Sequence, residues 1–217
     1  MLIQRRHAWG SPRGRLCAIL VTALLAGARA EAQSAPPTSN AQPIPPLTTE
    51  QQIAAALLAA PEDMRAGAAV LGYAPDGHFT TLRQGRGALI CLASDPKSER
   101  FHVACYHRSL EPFMARGRAL RARGVTGDEV DSLRFAEVRS GKLAVPRHPA
   151  VLYSLTGPAD SFDPATATAP KARSLFVVYV PFATGRSMGL STTPVEGSPW
   201  IMHPGTPKAH IMFQPGM

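Results

Sequence analysis

The sequence predicts an α+β fold: a mostly antiparallel sheet with a helical pair inserted mid-chain. Two observations carry that prediction. Short apolar runs bounded by turn residues occupy both ends of the chain after about residue 68. Between them lie two segments whose apolar residues recur at helical spacing. Strands at the ends with helices between them are the α+β pattern.

Taken in order, Thr48 with Gln51 makes a capping box, and Ile53, Ala56, Leu57 and Ala60 recur at helical spacing until Pro61, so a first helix covers about 49–60. Pro61-Glu62-Asp63 opens a short turn that Gly67 closes. The runs 68–73 and 78–83 flank Ala-Pro75-Asp76-Gly77, where proline presets φ and glycine supplies a positive φ, and they read as a hairpin. A second hairpin is predicted from 88–93 and 101–107. Leu110, Phe113, Met114 and Leu120 share one helical face up to Gly124. Thr126 and Glu129 suggest another capping box, opening a helix that runs to Gly141. Strands are expected at 151–155 and 174–182, the latter apolar on both faces and so expected to be central. The Pro-, Ala- and Thr-rich stretch 156–173 is expected to be a mobile loop, and 200–203 and 209–213 a last pair of short strands.

The N-terminus carries an address. Arg5, Arg6, Arg13 and Arg15 precede an apolar run from Leu16 to Ala28, and two small-residue cleavage sites follow, Ala28-Arg29-Ala30 and Ala30-Glu31-Ala32. Residues 1–32 therefore read as a signal peptide whose apolar run is too short to span a bilayer. Mature protein is expected to begin at Glu31 or Gln33. Residues 33–48, with five prolines and no charge up to Thr48, read as an extended spacer, and 49–217 as one globular domain. Removing 1–32 lowers the net charge from +8 to +4, because five arginines and one acid leave with it. With so little charge and a periplasmic or secreted location, a nucleic-acid partner is excluded.

Cleavage also leaves two cysteines, Cys91 and Cys105, on the paired strands of the second hairpin. In an oxidising compartment they are expected to form a disulfide, since both lie nearly equidistant from the loop centre.

Candidate chemistry is sparse. Gly185-Arg-Ser187-Met-Gly189 matches the serine-hydrolase nucleophile elbow, but the Pro-rich segment after it forms no helix, and Glu196, His203 and His210 follow too closely for that fold's triad. Ser94-Asp-Pro-Lys97 matches S-x-x-K, with a proline that denies the required helical turn. His78, His102, His107 and His148 have no metal-ligand spacing. Met202, His203, His210 and Met212 bracket a six-residue loop, and thioether with imidazole suits copper. Alternation puts His210 and Met212 on one face, while adjacent Met202 and His203 diverge, so the candidate metal set is His203, His210 and Met212. Arg116, Arg118, Arg121 and Arg123 form a basic helical stripe that could touch an anionic membrane surface.

With Ala-Ala-Pro61, Leu82-Arg-Gln-Gly85-Arg-Gly87, Cys91 and His203-Pro204, the chain resembles a group of uncharacterised exported bacterial proteins. The resemblance implies an envelope location and no particular activity. No cofactor motif is present, so no cofactor is expected. The function expected is non-catalytic binding of a small ligand or an envelope component, with a hydrolase or a copper-binding protein as the alternative.

Overall fold

A computed structural model describes residues 46–195 and 197–214. The signal peptide, its cleavage sites and the spacer up to residue 45 lie outside the described residues, as does Glu196.

Among the described residues eight strands form one sheet: β1 (Ala69–Tyr73), β2 (Phe79–Arg83), β3 (Leu89–Leu92), β4 (Arg100–His107), β5 (Ala150–Pro158), β6 (Arg173–Tyr179), β7 (Trp200–Met202) and β8 (His210–Phe213). Their order across the sheet is β2-β1-β3-β4-β5-β6-β8-β7, and every pairing is antiparallel except β1 with β3. The helices are α1 (Thr49–Leu57), α2 (Glu62–Arg65), α3 (Glu111–Ala122), α4 (Gly127–Arg139) and α5 (Gly185–Met188). The helical pair α3–α4 sits between β4 and β5, so the fold is α+β as the sequence predicts.

The Thr48 capping box forms in full, with the Thr48 side chain accepting from the Gln51 amide and the Gln51 side chain from that of Thr48. Thr126 caps α4 by position, but its side chain makes no capping bond. Both predicted hairpins form. The parallel β1–β3 pairing is the departure from a simple meander: the chain leaves edge strand β2 and passes the start of β1 to reach its other side. Glycine makes that passage possible. A Cβ on Gly85 would lie 2.4 Å from the backbone of Ala68 and Ala69, and the Gly87 amide donates to the Gly67 carbonyl at 2.7 Å. Arg83 fastens the same crossing by donating to the carbonyls of Ala68 and Arg65.

The sheet is covered unevenly. On one face α1 packs Ala55 and Ala56 against Val70, Leu89, Cys91, Val103 and Cys105, all essentially buried. On the other, Leu110 and Met114 pack against Ile90, Tyr106, Val177 and Tyr179. β6 is an interior strand paired on both sides, as its apolar run predicts, but it is only partly covered, because α1 packs over β1 to β4 instead. One face is therefore left open, and Phe176 is 38% exposed. The segment after β5 is also more regular than the mobile loop expected. β5 continues to Pro158, a 3₁₀ turn follows at Ala159–Ser161, and Asp163 bridges Thr168. Asp163 holds that turn by accepting from the Ala165 amide and the Thr166 hydroxyl.

Candidate functional site

At one end of the sheet β5 begins, β6 and β7 end and β8 begins. Hydrogen bonds extend the ladder into the loops there: Val180 N–H to Ala209 C=O at 2.9 Å, Phe182 N–H to Thr206 C=O at 2.9 Å, and Gly205 N–H to Ala183 C=O at 2.7 Å. They hold residues 180–184 beside residues 203–209. Within these two segments, Phe182 (φ 66°) and His203 (φ 51°) adopt the left-handed backbone conformation that non-glycine residues rarely take. Such strain persists only where the surroundings over-determine it, and it clusters at binding sites.

Two features lie at this end. The first is an open groove of about 360 Å³ between Pro146–Pro149 and Val180–Ala183. Its walls are proline, valine and the Phe182 ring, with Arg147 and His148 supplying polarity, and Phe182 is 52% exposed.

The second is a polar cluster under α4. Asp131 pairs with Arg134 and accepts from Lys208 Nζ at 2.7 Å, tying α4 to the β7–β8 loop. Burial pushes the Asp131 carboxyl up, but the hydrogen bonds from Lys208 and Arg134 outweigh it and hold the group below its ordinary value. Arg134 is 4% exposed, donates to the Phe113 carbonyl at 3.1 Å and stacks over the Phe113 ring at 3.9 Å. Tyr179, between Ala150 and His210 in the sheet, has its phenol pushed up to about 12 by burial. The His210 ring lies 5.1 Å from that of Tyr179 and 5.6 Å from that of His203. Desolvation lowers both histidines below their ordinary value, joined by the Lys208 charge at His203, while at His210 the Lys208 carbonyl pulls the other way and is outweighed.

The residues singled out from sequence fall as follows. Cys91 and Cys105 are directly opposed in the β3–β4 register and joined by a disulfide, fully buried beneath α1. Of the metal set, the His203 and His210 rings lie 5.6 Å apart, and Met212 shares a face of β8 with His210 two residues further on, as alternation predicts. It packs against the apolar cluster of Val177 and Tyr179 and pairs with Trp200. Met202 stands opposite His210. Alternation alone would send His203 to the face away from Met202, but β7 ends at Met202 and the positive φ of His203 lets its ring approach that of His210.

Ser187 does lie in a helix, the four-residue α5, but its hydroxyl is committed to a capping box: it accepts from the Thr184 amide at 2.9 Å and donates to the Thr184 carbonyl at 3.0 Å. Ser94 accepts from the His102 amide and Asp95 from the Lys97 amide, so Ser94–Lys97 is a turn. The arginine stripe is divided. Arg116 pairs with Glu137 and Arg118 with Glu111 and Tyr106, both half-buried, while Arg121 and Arg123 stay exposed. His102 bonds Thr156, His107 caps the 3₁₀ turn before α3, and His148 lines the groove.

Sequence reasoning missed Tyr179, Asp131, Arg134, Lys208 and Phe182. None had a signal: Arg134 looks like any helical arginine, and the cluster joins α4 to a loop some 77 positions away.

No known protein family, no curated protein and no solved structure matches the chain.

Proposed function

We propose that the protein is a non-catalytic binding domain working outside the cytoplasm, which takes a small amphipathic anion of the cell envelope at the groove of the sheet end. The observation that carries this reading is Phe182, held at φ 66° and 52% exposed beside Pro146, Pro149 and Pro181. A left-handed phenylalanine costs about 1–3 kcal/mol. Glycine would adopt the same backbone freely, so the ring itself is the feature that the strain retains. An apolar wall with Arg147 at its rim fits an apolar body carrying a carboxylate or phosphate. The buried Cys91–Cys105 disulfide supports an oxidising compartment, and among the described residues no helix is long and apolar enough to cross a membrane.

The test is an amide-resolved NMR titration with short fatty and aromatic carboxylates and with phosphorylated glucosamine fragments. Shifts at 146–149 and 180–183 that vanish in Phe182→Gly and weaken in Arg147→Gln are expected. Absence of shifts with every compound, or shifts indifferent to Phe182→Gly, would overturn the reading. Ester hydrolysis lost in Ser187→Ala would replace it with the hydrolase.

A further inference from the structure

We infer that Met202, His203 and His210 form a site for a single monovalent copper ion. The inference rests on reading this sheet end as a binding surface, and adds a ligand that the groove itself does not require.

Register supplies the first donor pair. Met202 and His210 are directly opposed in the antiparallel β7–β8 pair, and opposed residues project from the same face with Cβ atoms about 4.5–5.5 Å apart. His203 supplies the third donor because its positive φ breaks the alternation that would have sent it to the other face. Its ring centre lies 5.6 Å from that of His210, with the planes tilted by 45°. Two imidazoles ligating one ion through bonds of about 2.0 Å place their ring centres roughly 5–6 Å apart. The spacing in the protein fits that geometry without rearrangement of the strands.

Protonation is arranged as well. His210 Nδ1 lies 2.7 Å from the Lys208 carbonyl oxygen, and a carbonyl can only accept. Nδ1 therefore carries the proton and Nε2 keeps its lone pair. A ligating imidazole usually has its other ring nitrogen fixed in this way.

Donor chemistry then selects the ion. The side chain that register sets beside His210 is a thioether, and among the described residues no third His, Cys, Asp or Glu joins the two histidines. Thioethers bind Cu(I) and add little affinity for zinc or hard cations. The charged groups facing the histidines are Lys208, Asp131 and Asp128. With Lys208 already paired to Asp131, Asp128 is left as the net negative charge near His203, which favours a cation there. Met202 and His203 are exposed while His210 is buried, which leaves the ion anchored from below and open to exchange from solvent.

The test is anaerobic titration of the purified protein with Cu(I) against a chromogenic chelator, followed by X-ray absorption at the copper edge. One equivalent with mixed nitrogen and sulfur scattering is expected. His203→Ala and Met202→Leu each weaken retention by about tenfold or more, whereas Met212→Leu leaves it unchanged. Both informative positions are exposed, so these variants keep their fold, which circular dichroism checks independently of His210→Ala. No retained copper, retention indifferent to His203→Ala, equal loss in Met212→Leu, or tighter binding of Zn(II) than Cu(I) would each overturn the assignment. Failure here with Phe182-dependent shifts intact sinks the metal site alone; loss of those shifts with copper retained sinks the groove reading alone.

Discussion

Removing the Cys91–Cys105 bond tests how the compact part of the chain is held together. The two cysteines are separated by 14 positions, and both are 0% exposed within the cluster that α1 covers. Closing a loop of about 15 residues restricts the unfolded chain by about 3 kcal/mol in the chain-entropy treatment. For a domain of this size that corresponds to roughly 6–12 °C in melting temperature. Reduction and mutation act differently on the folded state. Reduction keeps both sulfurs and their volume, so it isolates the unfolded-state contribution. The double variant Cys91→Ala/Cys105→Ala also empties two positions in a close-packed layer and adds about 1 kcal/mol or more for each sulfur removed. Urea unfolding followed by circular dichroism, with and without reductant, is expected to show a lower midpoint on reduction and a lower one still in the double variant. The dependence on urea should steepen in both, because the unlinked chain exposes more surface. A midpoint unchanged by complete reduction would refute the reasoning, since the hairpin ladder and α1 packing would then hold this region unaided. Burial adds a kinetic expectation: mild reductant leaves the bond intact in the folded protein and cleaves it only as the protein unfolds.

Three further outcomes are expected. Arg134→Ala removes a 4%-exposed guanidinium stacked on Phe113 and paired with Asp131, and is expected to cost about 3–5 kcal/mol in urea unfolding, with Arg134→Met costing less because the side-chain stem still covers Phe113; equal losses would show that the stem's cover contributes nothing. Gly85→Ala places a Cβ 2.4 Å from the backbone of Ala68 and Ala69 and is expected to cost more than about 3 kcal/mol, whereas Gly77→Ala meets nothing within 4 Å and carries only the cost of φ 81°, about 1–2 kcal/mol, so similar melting temperatures for the two would contradict the crossing described above. Burial lowers His102, His203 and His210 in the folded state, so the unfolded chain binds more protons as pH falls through 6.5 and stability declines from there toward the lowered folded values; a urea midpoint that stays level between pH 7.5 and 5.5 would exclude this linkage.

Much of the fold was legible because the determinants were local. Thr48 and Gln51 announce the start of α1, Pro75-Asp76-Gly77 turns the first hairpin, and the apolar faces of 110–120 and 130–133 mark the helical pair. The disulfide was legible for a related reason: hairpin register is short-range, and Cys91 and Cys105 fall opposite one another once the strands pair. Periodicity misled where coverage decided the outcome. The run Leu-Phe-Val-Val-Tyr-Val reads as a strand buried on both faces, yet α1 lies over the opposite half of the sheet and leaves Phe176 in solvent.

By itself, then, the sequence determined the elements and their class, because capping, turn chemistry and hydrophobic period act within a few residues of one another. The tertiary structure alone decided what meets at the sheet end. The parallel β1–β3 pairing, the salt bridge of Asp131 to Lys208 and the approach of His203 to His210 each join parts of the chain through the sheet rather than through a local pattern. The approach of His203 to His210 shows why. One positive φ at His203 overrode the strand alternation, and that torsion is set by the tight turn into Pro204 and Gly205 and by the bonds that residues 205 and 206 make to residues 183 and 182.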